Sequence, residues 1–402
     1  MRRAAFAYVI VFVAVAAYSP NLSVYYQSLG ITLGQIGLLM AFTSGAALLS
    51  APAWGAIHDR YPRSFVLLPL AGLLAATGAV GLATVGNSPL LVLSAAAFAV
   101  GNSGIVPMMD VRVLDLAGAD RARYGFVRAC GSISFMVFAP IVGVLVQNRG
   151  IGAFFLVMIP ALLVGGVVAT SVRGRTNVVR APSMLRSPGR VLRHRPILLF
   201  LVASLVCWTA ISAQQSFFSL YFKSLGGSSE QIGWAWAIGA ALEAPMMMLF
   251  PIMARRFGVE RLILIGAGIT VVRQIANVVF LVPTVLLACS LLQGCGYGLL
   301  VIGGVTFVSR QAPKGTAATA QGLLGGVTVS SAAILGAGVG GQLAGVLGIH
   351  GLYVVATCLG VLGIGMLALA VLPVAGRDAA QRREDERAAA EPVPLPAPEI
   401  GV

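Results

Sequence analysis

Charged residues are scarce in this sequence. Only 10 % of its 402 residues are Asp, Glu, Lys or Arg, whereas 58 % are hydrophobic. Soluble domains carry about 25 % charged residues, so this chain has too few of them to cover a surface exposed to water. The composition excludes a soluble globular protein and predicts an integral membrane protein.

Acidic residues are scarcer than basic ones, with 13 Asp and Glu against 27 Lys and Arg. Such an excess could suit nucleic-acid binding, but most of the basic residues lie in short segments between apolar runs. In membrane proteins such basic loops remain in the cytoplasm. We therefore expect no nucleic-acid partner and interpret the positive charge as an orientation signal.

Cysteine and histidine are also rare. The five cysteines lie in apolar runs without a C-x-x-C pair, and the three histidines are isolated. This pattern predicts neither a disulfide framework nor a metal site. The sequence also lacks a G-x-x-x-x-G-K-[ST] loop, so we expect no ATP-driven motor. We expect no cofactor and no enzymatic activity.

Long apolar runs, by contrast, are abundant. Twelve of them are near the length of about 20 residues that a helix needs to cross a bilayer. The first follows Met-Arg-Arg and could pass for a signal peptide, but it is too long and contains polar residues, so we interpret it as a helix. The predicted spans are residues 4–26, 35–57, 64–85, 89–111, 125–147, 151–171, 197–222, 231–253, 261–282, 284–308, 319–346 and 350–373.

The basic residues also orient and divide the chain. With the N-terminus in the cytoplasm, 22 of the 27 lie on the cytoplasmic side and two lie outside. This predicts a multi-pass protein of the cytoplasmic membrane with both termini in the cytoplasm. We expect an N-terminal half at 1–172, an Arg-rich linker at 173–195, a C-terminal half at 196–374 and a disordered tail at 375–402.

A short phrase occurs twice, 196 positions apart. Residues 25–37 read YYQSLGITLGQIG and residues 221–233 read YFKSLGGSSEQIG, with seven identities in thirteen positions. We expect each phrase to turn at Ser-Leu-Gly and to begin the next helix, with Thr32 and Ser228 as N-caps. Repeated halves are an architecture of secondary transporters. The predicted fold class is therefore an all-α integral membrane protein with twelve transmembrane helices in two six-helix pseudo-symmetric halves.

One further motif carries a family resemblance. WGAIHDRYPR at residues 54–63 resembles the loop 2–3 signature of the major facilitator superfamily, with Pro62 where Gly is usual. The stretches PMMDVRVLDL, DRARYGFVRACGSISF and TAATAQGLLGGV resemble the phenylpropionic acid permease group within it. The resemblance implies the major facilitator fold, alternating access and a conformational lock, with a solvated helix end as the alternative for the lock. The lock residues would be Gly55, Asp59, Arg60 and Arg63.

Charged side chains within the predicted spans are candidate functional residues, since each costs about 2.5–3.5 kcal/mol at a helix centre on insertion scales. Glu243 and Arg273 are each 15 residues from Gly258, so an antiparallel hairpin would place them at matched depth. Asp110 and Arg128 are each nine residues from position 119 in the same way. Each pair is either functional, for proton coupling and substrate binding, or a permanent structural ion pair.

Helices 1, 4, 7 and 10 line the cavity in this superfamily, so the resemblance implies a binding role for their polar and aromatic residues. Helix packing is the alternative for each of them. We expect proton coupling by Glu243 and Asp110. We expect substrate binding by Arg128, Arg273, Tyr18, Asn21, Asn102, Trp208, Gln214, Gln215, Gln293 and Tyr297.

The predicted function is secondary active transport, with proton-coupled uptake of a small aromatic acid as the first hypothesis. A proton-driven efflux antiporter for drugs or metabolites is the alternative. Helix 4 lacks the Arg typical of drug antiporters, because Ala97 and Phe98 precede Gly101. A sensor without flux is disfavoured by the short tail. The expected partners are a small-molecule substrate, protons and the lipid bilayer, and we expect a monomer.

Overall fold

The computed structural model describes residues 1–61, 66–117, 121–172, 188–313 and 315–390. These ranges are nearly all helical and contain no strand. The first half consists of α1 (Arg2–Ser28), α2 (Leu33–Arg60), α3 (Leu67–Thr84), α4 (Leu90–Ala117), α5 (Arg121–Arg149) and, after a 3₁₀ turn, α6 (Phe155–Ala169). A short helix (Pro188–Leu192) precedes α7 (Arg195–Ser224), α8 (Ser229–Phe257), α9 (Val259–Val279) and α10 (Pro283–Gln311).

The rest of the chain forms two more helices. Helical structure begins at Ala317 and runs to Ala390, but Gly348 interrupts it with φ 76° and ψ 169°. The side chain of Leu352 lies 3.3 Å from the point where a Cβ on Gly340 would stand. A straight helix would separate these residues by about 18 Å, so the chain reverses at Gly348. We call the helix before this reversal α11 and the helix after it α12.

These helices confirm the predicted fold class. Eleven helical stretches of the described chain are long and apolar enough to cross a membrane, and the reversal divides the last of them into two spans. The final helix extends to Ala390, so the first part of the tail predicted to be disordered is helical. Its sequence is rich in Ala, Arg and Glu, which favour helices. Residues 391–402 of the tail and 173–187 of the linker lie outside the described ranges.

Both copies of the repeated phrase adopt the same local structure. Gly30 and Gly226 have φ values of 77° and 86°, a left-handed conformation that glycine adopts without strain. Thr32 and Ser228 each form a capping box with the Gln three residues later. In this arrangement the two side chains accept hydrogen bonds from two backbone N–H groups that have no partner within the helix. The predicted turns and N-caps are confirmed.

Each half also repeats the same helix packing. In the first half α1 packs against α5 and α6, α3 packs against α4 and α6, and α2 packs against α4. In the second half α7 packs against α11 and α12, α9 packs against α10 and α12, and α8 packs against α10. Glycine permits several close approaches; a Cβ on Gly72 would lie 3.1 Å from the Cα of Gly166. Such small-residue contacts are typical of membrane helices.

The halves meet along two seams, α2 against α11 and α5 against α8. We call the end of the bundle that carries the Gly30 and Gly226 turns the turn end, and the opposite end the terminus end. Two hydrogen bonds join the halves in the described chain, and both lie at the turn end. Gln342 Nε2 donates to the carbonyl of Gly34 at 3.3 Å, and the backbone N–H of Glu230 donates to Gln147 Oε1 at 3.3 Å.

Glycine contacts show the same asymmetry. At the turn end, a Cβ on Gly37 would lie 2.5 Å from the Cα of Gly341, and one on Gly233 would lie 2.8 Å from the Cα of Pro140. Towards the terminus end, Gly55 has no atom within 4 Å of its Cβ position. The described halves are therefore packed tightly at the turn end, whereas the space beside Gly55 of α2 is open among the described residues.

Candidate substrate and coupling site

The predicted binding residues divide into two groups by burial. Asn21, Gln214 and Arg273 are only 4 %, 1 % and 3 % exposed, because they lie inside one half of the bundle. Most of the remaining residues are partly accessible, as expected for side chains between the halves. They are Tyr18, Asn102, Asp110, Arg128, Gln215, Glu243, Gln293 and Tyr297, while Trp208 is buried at 9 % exposure.

In the first half, the structure joins Tyr18 of α1 to Asn102 of α4. Asn102 Nδ2 donates a hydrogen bond to the Tyr18 hydroxyl at 3.2 Å. The Tyr18 ring packs edge-to-face against Phe98 with 5.1 Å between centroids. Asn21 takes no part, since its amide donates to Ala17 of its own helix at 2.9 Å.

In the second half, similar contacts join α7 to α10. Trp208 and Tyr297 pack edge-to-face with 5.1 Å between centroids, and Gln293 Nε2 donates to Gln215 Oε1 at 2.6 Å. Gln214 instead hydrogen-bonds to α12. An aromatic and amide surface on α7 and α10 therefore matches the one on α1 and α4.

Asp110 and Arg128, which were predicted to pair, lie near the same two tyrosine hydroxyls, those of Tyr8 and Tyr124, but no hydrogen bond joins the two charged side chains within the described residues. Asp110 accepts hydrogen bonds from the hydroxyls of Tyr8 and Tyr124, the latter at 3.1 Å. The Arg128 guanidinium lies over the ring of Phe12, 4.6 Å from its centroid. Its Nη1 is buried and has no hydrogen-bond partner in the part of the chain that the structure describes. Tyr8, Tyr124 and Phe12 were missed in the sequence, because an aromatic residue in an apolar run is usually a packing residue.

Arg128 also lies near Glu243, across the seam between the halves. In this seam Gly143 of α5 packs against the start of α8, and the Phe135 ring lies 6.4 Å from the Trp236 ring. The two helices are antiparallel. Arg128 lies about two turns before Phe135 on α5. Glu243 lies about two turns after Trp236 on α8, so Arg128 and Glu243 reach the same level of the seam. The two charges are close enough to interact electrostatically.

The predicted pairing of Glu243 with Arg273 is likewise not seen. Arg273 lies in the interior of the second half, with its guanidinium 5.6 Å from the centroid of the Phe218 ring. Two residues that are equally far in sequence from the turn between α8 and α9 lie at the same depth in the membrane. Their side chains need not point towards each other. Glu243 faces α5, whereas Arg273 faces the interior of its own half.

The predicted lock residues lie near the terminus end of α2. Asp59 and Arg60 are exposed and Gly55 is partly exposed, while Arg63 lies outside the described residues. Beside them is a contact that the sequence did not indicate: His58 of α2 accepts a hydrogen bond from Arg112 Nε of α4 at 3.3 Å. His58 and Arg112 are both buried, so this contact ties α4 to the motif-bearing end of α2.

Comparisons with known proteins agree with this architecture. The sequence matches the MFS_1 like family over residues 1–355. It is 32 % identical to the maltose permease of Geobacillus stearothermophilus over 80 % of this chain and 82 % of that protein. It is 25 % identical to the probable 3-phenylpropionic acid transporter of Escherichia coli K12 over 67 % of this chain and 72 % of that protein.

Solved structures show the same fold. The crystal structure of the nucleoside transporter NupG matches with a TM-score of 0.79 and 14 % identity, over 92 % of this chain and 98 % of that chain. A bacterial homologue of the iron transporter ferroportin in its inward-facing state matches with a TM-score of 0.71 and 17 % identity, over 92 % and 98 %. The described residues form twelve membrane-length helices in two similar halves. With this fold, the family match over residues 1–355 and the maltose permease relative show that the chain is a membrane transporter that belongs to the MFS_1 like family of the major facilitator superfamily.

Proposed function

We propose that this transporter takes up a small aromatic carboxylate together with a proton. The proposal rests on the positions of Arg128 and Glu243, one cation and one carboxylate that face each other from opposite halves. Among the described residues, the Nη1 atom of Arg128 has no hydrogen-bond partner. A substrate carboxylate suits this group, because a guanidinium can bind a carboxylate through two parallel hydrogen bonds.

Glu243 and the substrate carboxylate compete for the guanidinium of Arg128, and this competition couples proton binding to substrate binding. When Glu243 is ionised, it interacts with Arg128 across the seam, and a substrate carboxylate would add a further negative charge beside this cation. Protonation of Glu243 removes this competition and leaves Arg128 free for the substrate, so that no uncompensated charge remains in the site. The loaded site then carries one proton and one monocarboxylate, which makes the cycle electroneutral.

Asp110 has a different role in this proposal from the proton coupling expected of it. Its carboxylate accepts hydrogen bonds from hydroxyl groups of α1 and α5, so Asp110 joins α1, α4 and α5 of the first half. We assign it the role of a structural latch, which leaves Glu243 as the proton carrier.

The ring of the substrate binds among the aromatic and amide groups of α1, α4, α7 and α10. Trp208 and Tyr297 present ring faces and edges on one side, and Tyr18 presents them on the other. Offset and edge-to-face contacts stabilise aromatic pairs by about 0.5–1.5 kcal/mol beyond the burial of area. Arg273 has no part in this site, since it is buried within the second half.

The packing of the halves supports transport by alternating access. If the basic loops are cytoplasmic, the terminus end faces the cytoplasm and the described conformation is inward-facing. Asp59, Arg60 and Arg63 would then form their lock in the opposite state, when the terminus end closes. The exposure of Asp59 and Arg60 in the described conformation agrees with this assignment.

A neutral sugar is the second candidate substrate. The hydrogen-bonded Gln215 and Gln293 and the nearby Trp208 are uncharged groups that suit a substrate rich in hydroxyls. One relative with 32 % identity is a maltose permease. A neutral sugar does not need the charge of Arg128 for binding, whereas a carboxylate does. Removal of this charge therefore distinguishes the two candidate substrates.

Transport by purified protein in liposomes with an alkaline interior tests the proposal. Labelled 3-phenylpropionate, maltose, a nucleoside and a cationic drug would be offered in parallel. We expect accumulation of the acid, its loss in Arg128→Gln, and its retention in Arg149→Gln, which alters an exposed arginine at the end of the same helix. Uptake of maltose by Arg128→Gln would favour the sugar, and proton-driven export of the cationic drug from preloaded liposomes would favour an antiporter.

A further inference from the structure

The interior of the second half contains polar side chains that the proposed transport site does not use. Arg273, Gln274 and Asn277 lie on one face of α9 and are 3 %, 1 % and 0 % exposed. Gln214 of α7 and Tyr353 of α12 lie beside them, and the Tyr353 hydroxyl donates to the Gln214 carbonyl at 2.9 Å. We call these five residues the α9 polar cluster.

Many polar atoms of the α9 polar cluster have no hydrogen-bond partner within the described ranges. They are Nε of Arg273, both amide atoms of Gln274 and of Asn277, and Oε1 of Gln214. These six atoms are more than half of the ten buried side-chain atoms without a partner in the described ranges. Because native proteins rarely leave buried polar atoms unsatisfied, their concentration in one place indicates a polar occupant.

The charge of Arg273 indicates the sign of that occupant. Its guanidinium lies 5.6 Å from the centroid of the Phe218 ring, but a ring compensates only part of a buried positive charge. Within the residues that the structure describes, no carboxylate contacts Arg273, and Glu243 faces Arg128 instead. A cation inside a membrane bundle normally has a counter-ion, so the occupant is expected to be negative.

We propose that the α9 polar cluster binds a small inorganic anion of halide size, together with water. The N–H groups of Arg273, Gln274 and Asn277 donate to the anion, and the unpartnered amide oxygens accept hydrogen bonds from its water. A metal cation does not suit the cluster, because Arg273 would repel it. The anion joins α9 to α7 and α12 and stabilises the second half, independently of the proposed substrate site.

Thermal unfolding of the purified protein tests this proposal. We expect the melting temperature to rise saturably by about 3–5 °C when chloride or bromide replaces gluconate up to about 0.15 M, because a ligand that binds only the folded state stabilises it. Arg273→Gln should lose this dependence, whereas Arg149→Gln, at an exposed position, should keep it. Equal melting of the parent protein in chloride and in gluconate would overturn the proposal.

A second measurement needs no variant and remains decisive if Arg273→Gln does not fold. Crystals of the parent protein grown in bromide should show an anomalous scattering peak beside the side chains of Arg273 and Asn277. Bromide peaks only on the protein surface, or none at all, would contradict the site.

Discussion

A single methyl group at Gly37 should open the turn end of the transporter. In the seam between α2 and α11, a Cβ on Gly37 would stand 2.5 Å from the Cα of Gly341, whereas ordinary contacts are 3.4–4 Å. The opposing atom belongs to the backbone, so no side-chain rotation can relieve the overlap. Gly233, at the same place in the second copy of the repeated phrase, meets Pro140 in the other seam at 2.8 Å.

The size of the effect follows from the packing. Overfilling a tight contact costs about 1–3 kcal/mol, and the cost applies only when the seam is closed. Gly37→Ala should therefore shift the equilibrium towards the state with an open turn end by about 5- to 150-fold. Gly37→Ala and Gly233→Ala lie in different seams and share no contact, so their free-energy effects should add.

Distances between spin labels measure this shift directly. Labels at Gln27 and Val346 report on opposite halves at the turn end, and both positions are exposed. Gly37→Ala should enlarge the population of long distances, whereas Gly365→Ala should not, because no atom lies within 4 Å of the Cβ position at Gly365. Identical distance distributions for Gly37→Ala and the parent protein would refute the seam as the gate.

Three further substitutions test local contacts. Thr32→Ala removes a capping box and should lower the free energy of unfolding by about 0.5–2 kcal/mol in thermal melts, with Thr32→Ser as the control. Tyr8→Phe removes one of two hydroxyl donors to the Asp110 carboxylate and should lower the free energy of unfolding by about 1.5–3 kcal/mol, as for hydrogen bonds to charged groups, with an unchanged KM for the acid if Asp110 is a latch. Phe12→Leu removes the ring beneath Arg128 and should raise the KM about 2- to 30-fold in uptake assays, given about 0.5–2 kcal/mol for such a contact.

The fold was predictable because its main determinants are local. Apolar runs long enough to cross a bilayer predict helices wherever they occur. Even the reversal at Gly348, which lies inside one nearly continuous apolar stretch, falls between the predicted spans that end at 346 and begin at 350. The repeated phrase predicted the turns and caps, because Ser, Thr and Gly have specific roles at helix ends.

The charge partners were not predictable in the same way. The number of residues from a turn determines depth along a helix, and this argument paired Glu243 with Arg273 and Asp110 with Arg128. The direction of a side chain around the helix depends on which helices pack beside it. The seam between α5 and α8 brings Arg128 to Glu243, and it joins residues more than one hundred positions apart.

Two adjacent residues also show that the sequence does not determine the direction of a side chain around its helix. Gln214 and Gln215 were both predicted to contact substrate, but successive side chains on a helix point about 100° apart. Gln215 faces Gln293 of α10 between the halves, whereas Gln214 is buried against α12. A sequence can therefore nominate the polar residues of a transmembrane helix, but the packing of its neighbours selects among them.

Proton movement during substrate entry tests the central claim most directly. Liposomes that contain the transporter and a trapped pH indicator would receive 3-phenylpropionate, with protein-free liposomes to subtract passive entry of the acid. The account predicts internal acidification for the parent protein and for Glu230→Gln, which alters an exposed carboxylate on the same helix. Glu243→Gln should exchange labelled 3-phenylpropionate across the membrane yet move no protons. Acidification by Glu243→Gln at the parental rate would contradict the assignment of Glu243 as the proton carrier.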